Sequence, residues 1–203
     1  IRLIARALPP FLLLFAASQL VFAEPVRTPH VEAELIARTT SLQPGQPLDT
    51  ALRLKIIDHW HTYWRNPGDS GLPTRLSWSL PTGFAAGAIE WPYPKKLPLG
   101  PLMNFGYDGE VLHLVVLKVP TGLKPGEKVT LKAKADWLVC NDVCIPETAD
   151  LSLTLPVANS PPAADDRWAD AFSRSRAALP KELPAGRHAA AISNGNLTIT
   201  LAT

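Results

Sequence analysis

The chain of 203 residues holds two cysteines, Cys140 and Cys144, within Asp136-Trp137-Leu138-Val139-Cys140-Asn141-Asp142-Val143-Cys144-Ile145-Pro146-Glu147. Cysteines this close serve as a redox dithiol, as half of a metal site, or as a local staple. A bridge between them closes a loop of only five residues. Chain entropy gives such a loop roughly 2 kcal/mol, near the low end of disulfide contributions. A metal site needs more ligands, and the five histidines are His30, His59, His61, His113 and His188. His59 and His61 are expected to project from the same side of a strand, which makes a half-site. Thiolates beside them would suit Cu(I). The sequence completes no ligand set, and no metal or other cofactor is expected. A redox pair needs an accessible thiolate and a second sulfur to resolve a mixed disulfide. Cys140 and Cys144 supply both sulfurs. The nearby carboxylates of Asp136 and Asp142 disfavour the thiolate, so reactivity is expected to wait on a partner that changes the surroundings. At this level a staple and a redox pair both stand.

The pair must be positioned by strands. Val31, Ala33, Leu35 and Ala37 alternate within His30 to Ser41. After the turn Gln43-Pro44-Gly45-Gln46-Pro47, residues Leu48 to Ile56 read as a strand with one solvated face, since Asp49, Arg53 and Lys55 alternate with apolar residues. His59 to Arg65 is aromatic-rich and extends the sheet, and Asn66 to Gly71 is a loop. Thr74 to Leu80 and Glu110 to Val119 are further strands. Between them, Glu90 to Gly109 contains Pro92, Pro94, Pro98 and Pro101. These exclude a central strand and predict a long, stiff surface loop bearing Trp91, Tyr93, Met103, Phe105 and Tyr107. Val129 to Trp137 alternates and delivers the chain to Cys140, and Leu151, Leu153 and Leu155 mark the next strand. About seven or eight short strands separated by turns predict an all-β fold, an antiparallel β-sandwich. Ser160-Pro161-Pro162 closes it; Asp165 to Leu179 has helical spacing. Residues Ile192 to Leu201 read as a hairpin about Asn194-Gly195.

The expected organisation is a signal peptide over 1–23, a β domain with the cysteine pair over 24–158, a linker with a helix over 159–186, and the start of a second β domain over 187–203. Arg2 and Arg6 precede an apolar stretch, Leu8 to Phe22, and Val21-Phe22-Ala23 suits cleavage, so export is expected. The chain opens on Ile1 and its last expected strand runs into Thr203, so a longer natural protein is expected. Of the 20 basic residues, removal of Arg2 and Arg6 leaves 18, equal to the 18 acids. That balance argues against nucleic acid or an anionic membrane surface as a charge-driven partner. Export places the cysteines where disulfides persist.

Trp137 to Glu147, with Asn104-Phe105-Gly106-Tyr107 and Asp58-His59-Trp60-His61-Thr62-Tyr63-Trp64-Arg65 upstream, resembles the periplasmic N-terminal domain of the DsbD thiol:disulfide interchange family. The likeness is nearest to the branch called suppressor of copper sensitivity protein B and covers about Glu24 to Val157. It implies an immunoglobulin-like sandwich and a protein-disulfide reductase activity within a larger, inner-membrane-anchored protein. Electrons would come from membrane-embedded and thioredoxin-like domains of the same polypeptide. They would pass to periplasmic partners of thioredoxin or peroxiredoxin type. By motif, Cys140 and Cys144 are the active pair, and Cys144 forms the mixed disulfide. Phe105 matches the aromatic of a cap loop, with Tyr107 beside it, and Trp64 and Thr62 fall where relatives have site-lining tyrosines. Relatives carry two acids before the cap aromatic where this chain has Met103 and Asn104. Asp142, Asp108 and Glu110 are the substitutes the sequence offers.

Overall fold

The computed structural model describes residues 23–181 and 188–201. The expected signal peptide therefore lies, but for Ala23, outside the described residues, as does the end of the expected linker. In chain order the strands are β1 (Val26–Arg27), β2 (Val31–Ala37), β3 (Leu48–Ile56), β4 (Thr62–Gly68), β5 (Arg75–Ser79), β6 (Ala85–Ala86) and β7 (Lys95–Leu99). They continue as β8 (Leu102–Tyr107), β9 (Glu110–Lys118), β10 (Lys128–Cys140) and β11 (Cys144–Pro156). Helix α1 (Ala169–Ala177) and the hairpin β12 (His188–Ser193) and β13 (Asn196–Leu201) follow.

Two antiparallel sheets make the sandwich, in the orders β1-β2-β3-β9-β6 and β11-β10-β5. Their facing residues are the alternating apolar ones. Val31, Leu35, Leu52, Leu54, Val111 and Val115 come from the first sheet, and Val129, Leu131, Trp137, Val139, Leu151 and Leu153 from the second. Period-two alternation puts these side chains on one face of each strand, and their burial drives the sheets together.

The outer face of the first sheet is not solvated as its sequence predicts. Ile36, Ala51, Leu112 and Leu114 on that face pack against Ala171 and Phe172 of α1. Arg53 on the same face is buried and paired with Glu32, Glu34 and Glu110 at 3.1, 3.5 and 2.8 Å. Its guanidinium lies 5.2 Å from the centre of the Trp168 ring. Removing a guanidinium from water requires such partners. The alternation of β3 thus marks two buried faces of different chemistry.

The proline-rich stretch also differs from its expectation. Instead of an irregular loop it contains β7 and β8, which pair as a hairpin and continue to β4 in a separate sheet ordered β4-β8-β7. Pro98 lies in β7, an edge strand, where its missing N–H costs no ladder hydrogen bond. The same rule admits Pro146 in β11, the edge of its sheet. The last strand of the sandwich, β11, therefore starts at Cys144 itself, well before the leucine alternation that announces it. The hairpin β12–β13 turns at Asn194-Gly195, both with positive φ (49° and 77°), as a type I′ turn requires. Among the described residues no helix is long and apolar enough to cross a membrane.

Candidate functional site

β10 and β11 are each 13 residues long and pair without interruption from Lys128↔Pro156 to Cys140↔Cys144. The backbone N–H and C=O of Cys140 both bond to His61, in the two directions, at 2.9 Å. They point away from β11. Cys140 and Cys144 are therefore a non-hydrogen-bonded pair, the ladder position where opposed side chains lie closest. Their Cα atoms are 4.2 Å apart and the sulfurs form a disulfide. The ladder alone brings the sulfurs together.

Asn141, Asp142 and Val143 make the turn. Asn141 holds it, its Oδ1 accepting from Val143 N at 3.1 Å and its own N–H donating to Val143 O at 3.0 Å. Asp142 is exposed on this turn, beside the exposed Val143. The two cysteines differ in access: Cys140 is fully buried and Cys144 exposed. Of the two residues, Cys144 is the one open to an incoming group, while Cys140 is enclosed.

Tyr63, a residue the sequence reading did not select, lies within reach of the Cys144 sulfur. Its Oη lies 3.6 Å from Cys144 Sγ and 3.4 Å from His61 Nε2. Tyr63 is fully buried. Burial raises its phenol above the ordinary range, partly offset by a hydrogen bond with Ser70. The imidazole of His61 meets the Tyr63 ring edge-on, with centroids 5.2 Å apart. Burial lowers the His61 imidazole below 6.5 and the charge of Asp108 opposes that shift. Asp108 is itself ion-paired with Lys95.

The loop after β4 covers Tyr63. Met103 N donates to Asp69 Oδ2 at 2.8 Å and Asp69 N to Met103 O at 3.1 Å. Ser70 donates to Asn104 Oδ1 through both N–H and hydroxyl, at 3.0 and 3.1 Å. Met103 and Asn104 thus hold this loop. The loop ends in Gly71 at φ +95°, and a Cβ there would fall 2.3 Å from the Tyr63 ring.

The other sequence-predicted residues are placed as follows. Phe105 is half-buried on β8, its ring against Gly68. Tyr107 is buried in the sandwich core, its hydroxyl donating to Pro92 O at 2.7 Å and its ring edge-on to His113. Burial drives its phenol far upward. Trp64 is half-buried against the core, and Thr62 is buried opposite Tyr107. Glu110 is engaged with Arg53. The expected His59–His61 strand face does not form. His59 sits in a turn at φ +68°, a conformation that breaks the strand period, and β4 begins only at Thr62. Among the described residues no three His, Cys, Asp or Glu side chains gather where they could hold a metal.

Glu147, in the motif's tail, is a buried anchor. It accepts from Thr28 Oγ1 at 2.5 Å, His30 N at 3.2 Å and Trp137 Nε1 at 3.3 Å, and pairs with His30 Nδ1 at 2.7 Å. It ties the N-terminal segment to the base of the cysteine hairpin.

Residues 29–156 match the family model described as thiol:disulfide interchange protein DsbD, N-terminal. The fold is similar to the crystal structure of the N-terminal periplasmic domain of ScsB from Proteus mirabilis, with a TM-score of 0.60 at 22% identity, over 87% of this chain and 67% of that one. A search of curated proteins found no match.

Proposed function

The chain belongs to the DsbD N-terminal domain family, and from that premise we propose that it is a thiol–disulfide relay domain whose Cys140–Cys144 pair passes electrons to exported partners. The observation that carries this reading is the asymmetry of the disulfide. An exposed Cys144 and a buried Cys140 face each other at the tip of a rigid hairpin. Exchange requires one cysteine that a partner can reach and a second that resolves, and this arrangement meets both needs.

In the reducing direction, the Cys144 thiolate attacks a partner disulfide and one partner sulfur leaves as a thiolate. Cys140 then attacks Cys144 Sγ and releases the second partner sulfur. Two electrons and two protons move from the domain's dithiol to the partner, and the Cys140–Cys144 bond is restored. Electrons would return from membrane-embedded and thioredoxin-like domains of the same polypeptide. The receivers would be thioredoxin-fold or peroxiredoxin-like proteins in the periplasm. The likeness to the ScsB domain supports a periplasmic setting and a place in the ScsB branch. Phe105 is proposed to cover the pair between encounters.

The deciding experiment is equilibration in glutathione or dithiothreitol buffers. A potential of roughly −180 to −270 mV, the range of exchange catalysts, is expected. Cys140→Ala should then trap partners on Cys144. A value below about −300 mV would mark a structural bridge in a non-catalytic binding module.

A further inference from the structure

The reaction just described needs a proton taken from Cys144 before attack and returned when its thiolate leaves. Met103 and Asn104, at the position of the acids in the resembled family, exchange no proton near neutral pH, and both hold the loop over Tyr63. A different set of atoms lies against the sulfur. Cys144 Sγ, Tyr63 Oη and His61 Nε2 follow one another at 3.6 and 3.4 Å.

We propose that Tyr63 and His61 form the proton path of the Cys144 sulfur, with Tyr63 touching the sulfur and His61 acting through it as a positioning residue. The proposal rests on reading the pair as a dithiol–disulfide couple. Three features build the path. His61 and Tyr63 are two residues apart, and their side chains meet on one side of the backbone. The backbone of His61 is paired to Cys140, so one ladder sets both the imidazole and the disulfide. Tyr63 is fully buried under Gly71 while His61 is only half-buried, so a proton at Oη reaches water through the imidazole.

The groups facing His61 are Tyr63 on its own segment, the backbone of Cys140 from the hairpin, and Asp108 after β8, which is ion-paired to Lys95. Burial keeps the imidazole neutral and able to accept, and Asp108 favours the imidazolium once formed. The tautomer with its proton on Nδ1 presents Nε2 to Tyr63.

With the pair reduced, the Cys144 S–H proton passes to Tyr63 Oη as the Tyr63 proton passes to His61 Nε2. Cys144 becomes a thiolate and His61 an imidazolium. The thiolate's electron pair forms the new S–S bond and the partner's own S–S bond breaks. The departing partner sulfur takes a proton from water, and His61 returns its proton to water. When an upstream dithiol later reduces the Cys140–Cys144 bond, its first thiolate attacks Cys144 Sγ and Cys140 leaves; its second thiol then attacks the upstream sulfur, and Cys144 leaves as a thiolate and is reprotonated along the same path.

The test uses the chain reduced with dithiothreitol and freed of it, with oxidised glutathione as the disulfide. Rates are followed from pH 5 to pH 9 for wild type, His61→Gln, Tyr63→Phe and the double variant. Each single change is expected to slow the reaction on the order of tenfold or more near pH 7. The wild-type profile should carry a step below neutrality that His61→Gln erases. The double variant should be no slower than the slower single variant, because both lie on one path. His61→Asn replaces His61→Gln should the latter fail to fold. Unchanged rates, a step that persists without His61, or effects that multiply would overturn the relay. If dithiothreitol cannot reduce Cys140–Cys144, the function reading fails and the relay with it. If it can and the variants react like wild type, the relay alone fails.

Discussion

Cys140 and Cys144 have the same side chain and opposite access, and that difference arises from neighbours. Cys140 lies under the segment that begins β4, while Cys144 opens the edge strand. His113 shows a similar dependence on environment. It is fully buried on the core face of β9, and among the described residues neither ring nitrogen makes a hydrogen bond. Trp91 and Tyr107 meet its ring edge-on at 4.8 and 5.4 Å. Burial pushes its pKa from 6.5 down to about 3. Between these values the unfolded chain binds the proton and the folded one does not, so stability falls as pH falls. The contribution is complete above 6.5 and is lost progressively towards 3. At pH 5 the loss is about 2 kcal/mol, from 1.36 kcal/mol per pH unit. Urea unfolding at pH 7 and pH 5 should show it, and His113→Leu should flatten that part of the difference. Equal pH dependence in the variant would remove His113 as its cause.

At the scale of elements, the sheet β4-β8-β7 and the loop after β4 decide what lies beside the disulfide. Gly71 is where they meet Tyr63. A side chain there adopts an unfavourable positive φ and collides with a fully buried ring. Gly71→Ala is expected to cost about 1–3 kcal/mol, or to move the loop off Tyr63. Thermal unfolding reads the first effect. Slower reaction of reduced Cys144 with a small disulfide reads the second, because Tyr63 then no longer sits against the sulfur. A variant that matches wild type in both would show that the loop does not hold Tyr63 in place.

At the scale of the whole molecule, the family match ends at residue 156. The fold does not end there, because α1 covers the outer face of the first sheet. Phe172 is 1% exposed and packs on Ile36, Ala51, Leu112 and Leu114. Tyr93 N donates to Ala178 O at 2.8 Å, joining the helix end to the chain that leads into β7. Phe172→Ala should destabilise the sandwich by about 3–5 kcal/mol, as a buried phenylalanine cavity does. A loss below 1 kcal/mol in denaturant unfolding would mean that the helix is an independent appendage.

The chain's own pattern determined the sandwich. Alternation in Val31 to Ala37, Leu48 to Ile56 and Val129 to Trp137 is read directly as one buried face per strand, since period two is a property of extended backbone. The cysteine motif with its Pro-Glu tail likewise identified the pair and its family. Three things were decided only by the tertiary structure. Proline counted against strands in Glu90 to Gly109, yet an edge strand needs no N–H on its open side, and edge position is a fact of assembly. Arg53 read as solvated because the helix that buries its face lies more than a hundred residues downstream. Tyr63 went unselected because its distance to Cys144 depends on His61 pairing with Cys140, a long-range ladder that no local spacing encodes.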